Sequence, residues 1–157
     1  MADTIQVRLS NKACGAGLDY ARRQSADPAK DAVLCCEGMC LKGETARRAA
    51  NLLSYRLLPE KTVRICHGGL LEKDGGMRDL VQRANRVLIL EGCGMACSSR
   101  LTKAAFPELK PEVVFTNQMT NYAGDPFGID EVPEAEIIAN AQKVAAVLVS
   151  KYYDCCQ

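Results

Sequence analysis

Short apolar, β-type runs in this chain stop at cysteine and pass through a glycine-containing turn into a helical pattern: AVLCCEGMC over 32–40, VRICHGG over 63–69 and VLILEGCGMAC over 87–97. A chain that repeats run, turn and helix is constrained to parallel strands joined by right-handed helical crossovers. Parallel strands end on one edge of their sheet. Thiols at the ends of runs far apart in sequence are then expected to meet in a single crevice.

The remaining pattern agrees with that architecture. Ile5, Val7 and Leu9 alternate with Gln6 and Arg8, the period of a half-buried edge strand. A short helix is expected over Leu18 to Gln24, stopped by Asp27-Pro28. Ala46, Ala50, Leu53 and Leu57 form one helical stripe before Pro59, and Thr62 to Cys66 reads as a strand. Met77, Leu80, Val81 and Ala84 mark another helix, and Val87 to Leu90 is continuously apolar, as in a strand covered on both faces. A helix from Met95 or Cys97 places Cys97, Leu101 and Ala104 or Ala105 along one stripe. Glu112 to Thr116 reads as a further strand. The stretch 117–132 has turn residues and no period, and an irregular connection of that length often covers a site. Pro133 suits the first turn of a final helix whose buried face holds Ile137, Ile138, Ala141, Val144, Ala145, Leu148 and Tyr152.

The predicted fold is a single α/β domain over 1–157: a three-layer sandwich with a mostly parallel sheet of about four to five strands and helices on both faces. Residues 1–30 form an extension carrying the edge strand, 31–120 the core, and 133–152 the C-terminal helix. At 157 residues the chain can bury a core without disulfide staples. Lys and Arg (20) nearly cancel Asp and Glu (19), so no charge footprint for nucleic acid or anionic membrane is visible. No apolar stretch approaches the roughly 20 residues of a membrane span. The opening MADTIQVRLS lacks the basic and apolar regions of a signal peptide, so a cytoplasmic location is expected. Thiols stay reduced there, and an odd count of nine cysteines points to metal or redox chemistry more than to a disulfide framework.

Cys36 and Cys40 form a C-x3-C, as do Cys93 and Cys97. Across a strand-to-helix turn this spacing supplies one thiol from the loop and one from the first helical turn. Helix N-termini favour the thiolate that binds metal, and Gly38, Gly92 and Gly94 allow tight turns whose N–H groups point at sulfur. The competing reading is cysteine as a small core hydrophobe, which suits Cys66, at the end of a buried run, better than Cys93 and Cys97. Cys14 reads as a loop thiol, and Cys155 and Cys156 as an untied terminal pair. His67, the only histidine, is read as a turn residue bonded to backbone, with ligation the alternative; Glu91 is a carboxylate that supports a ligand, acts as a base or caps the next turn. The Arg22-Arg23 and Arg47-Arg48 pairs read as solvated helix faces. Walker A, G-x-G-x-x-G, H-E-x-x-H and G-x-S-x-G motifs are missing.

The segment Leu90-Glu91-Gly92-Cys93-Gly94-Met95-Ala96-Cys97-Ser98-Ser99-Arg100 resembles the central motif of the DGC-domain family of zinc-binding proteins. In that motif an apolar strand runs into Asp-Gly-Cys, with a second cysteine four residues later and a basic residue beyond; here Glu91 replaces the name-giving aspartate. Cys35-Cys36-Glu37-Gly38 with Gly43-Glu44-Thr45-Ala46-Arg47 is similar to the family's first turn and following helix, and Cys66 to the cysteine at the next strand end. The resemblance covers residues 31–120 and implies four chelating cysteines: Cys35 or Cys36, then Cys66, Cys93 and Cys97. The extra Cys40 leaves the first ligand open.

The leading expectation is a zinc protein with a structural or sensory site, because a closed thiolate shell leaves no open coordination position for catalysis. Iron–sulfur electron transfer or cluster handling is the alternative, since thiolates serve both. A thiol-dependent redox or sulfur-transfer enzyme, with Cys93 as nucleophile and His67 or Glu91 nearby, ranks third.

Overall fold

The computed structural model describes residues 12–154. The alternating stretch Ile5 to Leu9 and the Cys155-Cys156 pair lie outside them. In chain order the elements are α1 (Gly15–Gln24), β1 (Asp31–Cys35), α2 (Leu41–Leu52), β2 (Thr62–Arg64), α3 (His67–Leu70), α4 (Gly76–Arg83), β3 (Val87–Glu91), α5 (Cys97–Ala105), β4 (Glu112–Phe115) and α6 (Glu134–Tyr152). The four strands form one all-parallel sheet in the order β2-β1-β3-β4. No described helix is long and apolar enough to cross a membrane.

The two central strands, DAVLC and VLILE, are buried along their whole length. Their lack of polar alternation is explained by two cores, one on each face. Val33, Cys35, Leu88 and Leu90 face α2 and α6 through Ala46, Ala49, Ala50, Leu53, Ala141, Val144 and Leu148. Ala32, Leu34, Val87 and Ile89 face the other way, onto Ala21 of α1, Leu70 of α3 and Met77, Leu80 and Val81 of α4, with Ala105 and Phe106 at the end of α5 packed alongside. The expected three-layer sandwich is what forms.

Three helical faces differ from the periodicity. Leu53–Leu57 is a π-helical turn, whose wider winding turns Leu57 half out to solvent instead of continuing the Ala46 stripe. In α5 the buried residues are Ser98 and Thr102, and Leu101 is 47% exposed. Contacts at the helix start, described below, set that phase. Ile138 of α6 is exposed, while Ile137, Ala141, Val144, Ala145 and Leu148 are buried as expected. The connection after β4 holds two short 3-10 turns, Thr116–Gln118 and Ile129–Glu131. It is strapped to the start of α2, where Leu41 N donates to the Pro126 carbonyl (2.8 Å) and the Thr45 and Tyr122 hydroxyls are 2.6 Å apart.

At the opposite edge of the sheet the buried Asp31 carboxylate accepts from Asn85 Nδ2 (2.9 Å), from Arg86 Nε (3.1 Å) and Nη2 (2.8 Å), and from Tyr153 Oη (2.7 Å). The Arg86 guanidinium also lies over the Tyr152 ring, 5.0 Å from its centroid. This clamp fastens the end of α6 to the start of β1.

Candidate metal centre

β1 hands the chain to α2 on one face of the sheet and outward to β2, whereas β3 hands it to α5 on the other face and outward to β4. The switch point is therefore the crevice beyond the C-terminal ends of β1 and β3, where ligands of open α/β sheets bind. Two cysteine-bearing turns, 36–40 and 92–97, meet there. The 92–97 turn touches the first turn of α2, where a Cβ on Gly92 would stand 2.7 Å from the Lys42 carbonyl carbon; within the 36–40 connection itself a Cβ on Gly43 would stand 2.6 Å from the Gly38 carbonyl oxygen. A side chain at Gly92 would drive the 92–97 turn off α2, and one at Gly43 would distort the turn that leads from Cys36 into α2. Between them Ala96 takes the left-handed conformation (φ 50°, ψ 46°), closing the turn just before Cys97 opens α5.

The structure separates the two vicinal cysteines of β1. Cys35 points into the core and its sulfur accepts from Arg64 Nη2 at 2.7 Å. The same guanidinium reaches Glu37 Oε1 (2.5 Å), Asn51 Oδ1 (3.1 Å) and the Ile65 carbonyl (2.5 Å), so it is saturated by structural partners. Burial pushes the Cys35 thiol far up, against the opposing pull of Arg64. A neutral thiol pressed on a guanidinium is a poor cation donor. Cys36 lies at the crevice: its sulfur accepts from Gly38 N (3.4 Å), and Gly92 N–H and the thiol of Cys97 are within electrostatic reach. Burial, with Glu91 and Cys97 adding to it, raises the Cys36 thiol, and the two backbone N–H groups oppose that rise. Cys40 caps α2, accepting from Gly43 N at 3.4 Å.

Cys66 and Cys97 are exposed and Cys93 is half-buried. Arg100 Nη2 is 3.6 Å from the Cys97 sulfur. Cys66 precedes α3 at the end of β2, next to β1, and opens on a cavity of about 590 Å³ lined also by Tyr20, Glu37, Tyr55, Arg64 and His67. Cys14 is an exposed thiol at the start of α1, where its backbone N–H donates to Glu72 Oε2 (3.0 Å).

Glu91, fully buried at the end of β3, turns its carboxylate onto the first turn of α5, accepting from Ser98 N (3.4 Å) and Ser99 N (2.5 Å). A carboxylate against the positive end of a helix is a favourable placement. It is the capping role, of the alternatives considered for this residue, that the geometry carries. His67 is a helical residue in place of the expected turn residue; its Nε2 is 2.7 Å from Ser98 Oγ, and burial holds the imidazole below its ordinary pKa. Ser98 carried no distinguishing signal in the sequence. Arg64 did, as a lone charge inside the apolar VRIC run.

Thiols at the C-terminal ends of neighbouring strands fit a soft cation such as zinc in donor type. Among the described residues no three His, Cys, Asp or Glu side chains are yet drawn together tightly enough to hold a metal ion.

No curated protein and no solved structure matches the chain. A family model described as the DGC domain matches residues 32–144, which takes in the cysteine turns, all of the sheet but Asp31 and the first half of α6. The shared region thus runs further toward the C-terminus than residue 120. The chain belongs to the DGC-domain family.

Proposed function

We propose that this protein binds zinc through Cys36, Cys66, Cys93 and Cys97 at the C-terminal ends of β2, β1 and β3, in a structural or sensory role in the cytoplasm. The observation that supports the reading is the contact of the 92–97 turn with the start of α2 at the switch point, which leaves the Cys36 thiol within electrostatic reach of Cys97. Cys66 and Cys97 are exposed, so their side chains have room to take other rotamers. Bound zinc would link the ends of three strands, tying metal occupancy to stability. Cys35 is left out of this ligand set because of its contact with Arg64, and Cys40, whose sulfur accepts a backbone N–H as that of Cys36 does, stands in reserve for the fourth place.

Metal analysis of protein purified without oxygen tests this. The wild type should carry zinc, and Cys36→Ser, Cys66→Ser, Cys93→Ser and Cys97→Ser should each lose at least tenfold in affinity, while Cys35→Ser keeps it. Full zinc in all four variants would refute the site. Iron with acid-labile sulfide and visible absorption would replace zinc by a cluster.

A further inference from the structure

Two exposed thiols beyond the strand ends, Cys66 and Cys97, are each followed in the chain by a buried polar residue, and those two residues bond each other. His67 Nε2 and Ser98 Oγ are 2.7 Å apart. The pair stands on a third buried group, since the Glu91 carboxylate accepts the backbone N–H of Ser98 and of Ser99. The other imidazole nitrogen, Nδ1, is buried with no partner among the described residues.

An unpartnered buried nitrogen opposes stability, so an apolar pair of the same shape would hold α3 and α5 together at least as well. What the polar pair adds is direction. A hydrogen bond fixes the plane of the imidazole and with it the backbone that carries Cys66, while the doubly held first turn of α5 fixes the backbone that carries Cys97. Packing alone tolerates sliding.

We propose that His67 and Ser98 are positioning residues: their bond, seated on Glu91, sets the separation of Cys66 and Cys97 so that both thiols serve one soft divalent cation. The cation half of this statement rests on the zinc reading above; the positioning half does not.

His67→Phe keeps a flat ring, somewhat larger than the imidazole, removes the unpartnered nitrogen and breaks the bond, and Ser98→Ala breaks it from the other side. For each, thermal unfolding without metal and zinc affinity are measured in the wild-type and Cys97→Ser backgrounds. His67→Phe should unfold no earlier than wild type yet bind zinc at least tenfold more weakly, with less than a twofold effect in the Cys97→Ser background. Undiminished affinity in both variants, or an equal loss in the two backgrounds, would overturn the proposal.

A metal-free arm separates the two halves. A short bis-maleimide should bridge Cys66 to Cys97 in the wild type, read by peptide mapping, with the yield falling at least fivefold in either variant. If the wild type binds no zinc, the functional reading fails and the bridging yield alone decides the positioning. Equal yields in wild type and variants, or no bridge in the wild type, would overturn it.

Discussion

Arg64 is the residue on which the local order at the β1 and β2 ends depends. It spends its donors on Asn51 of α2, the Ile65 carbonyl, Cys35 and Glu37, which only a planar, forked cation can do at once. Arg64→Lys should therefore destabilise the protein by about 3 kcal/mol in urea unfolding, because a lysine leaves several buried partners unmatched. It should leave zinc affinity within a few fold if Cys35 is no ligand. Spacing could not tell how Cys35 and Cys36 would be turned, since the Arg64 that meets the Cys35 sulfur stands twenty-nine positions away. Glu91 was legible as a carboxylate with a local task; its choice between supporting, acting as base and capping depended on where the first turn of α5 comes to rest.

At the scale of elements, strand ends and helix starts were legible because continuous apolar runs stop at glycine-bearing turns, and β1, β3 and α4 lie where the pattern put them. Helix phase was less legible. The π turn after α2 leaves no mark in a period-3.6 reading, and the start of α5 is held by Glu91, just before it in the chain, and by His67, thirty-one positions from the Ser98 it bonds. The contact between the start of α2 and the 92–97 turn has a direct test. Gly92→Ala should cost about 2 kcal/mol or more, since the clashing atoms are backbone and cannot swing away, and should weaken zinc binding by separating Cys36 from Cys97. Calorimetry and a zinc titration read the two effects. The first turn of α2 also carries a pH signature. Burial would raise the Glu44 carboxyl, but its bonds from Arg47 (2.7 Å) and Arg48 (2.7 Å) prevail and hold it below the usual carboxylate value. Its contribution is thus complete above the unfolded value of about 4.3 and is lost as pH falls through the lower folded value. Glu44→Gln should be less stable than wild type by about 1 kcal/mol at neutral pH, with the gap closing toward pH 3; a gap that widens on acidification would contradict this.

For the whole molecule, the all-parallel sheet places its chemistry at one edge and its fastening at the other. The Asp31 clamp belongs to the fastening. Tyr153→Phe should lower stability by about 1 kcal/mol, the worth of one hydrogen bond, with zinc affinity unchanged. Because the clamp pins the end of α6 beside the start of β1, a fluorophore attached at Asp154 is held roughly a strand length, about 16 Å, from the cysteines at the other edge. That is far enough to leave the thiols unobstructed and close enough for energy transfer to an absorbing ion such as cobalt, so metal arrival could be followed optically from a position that takes no part in binding.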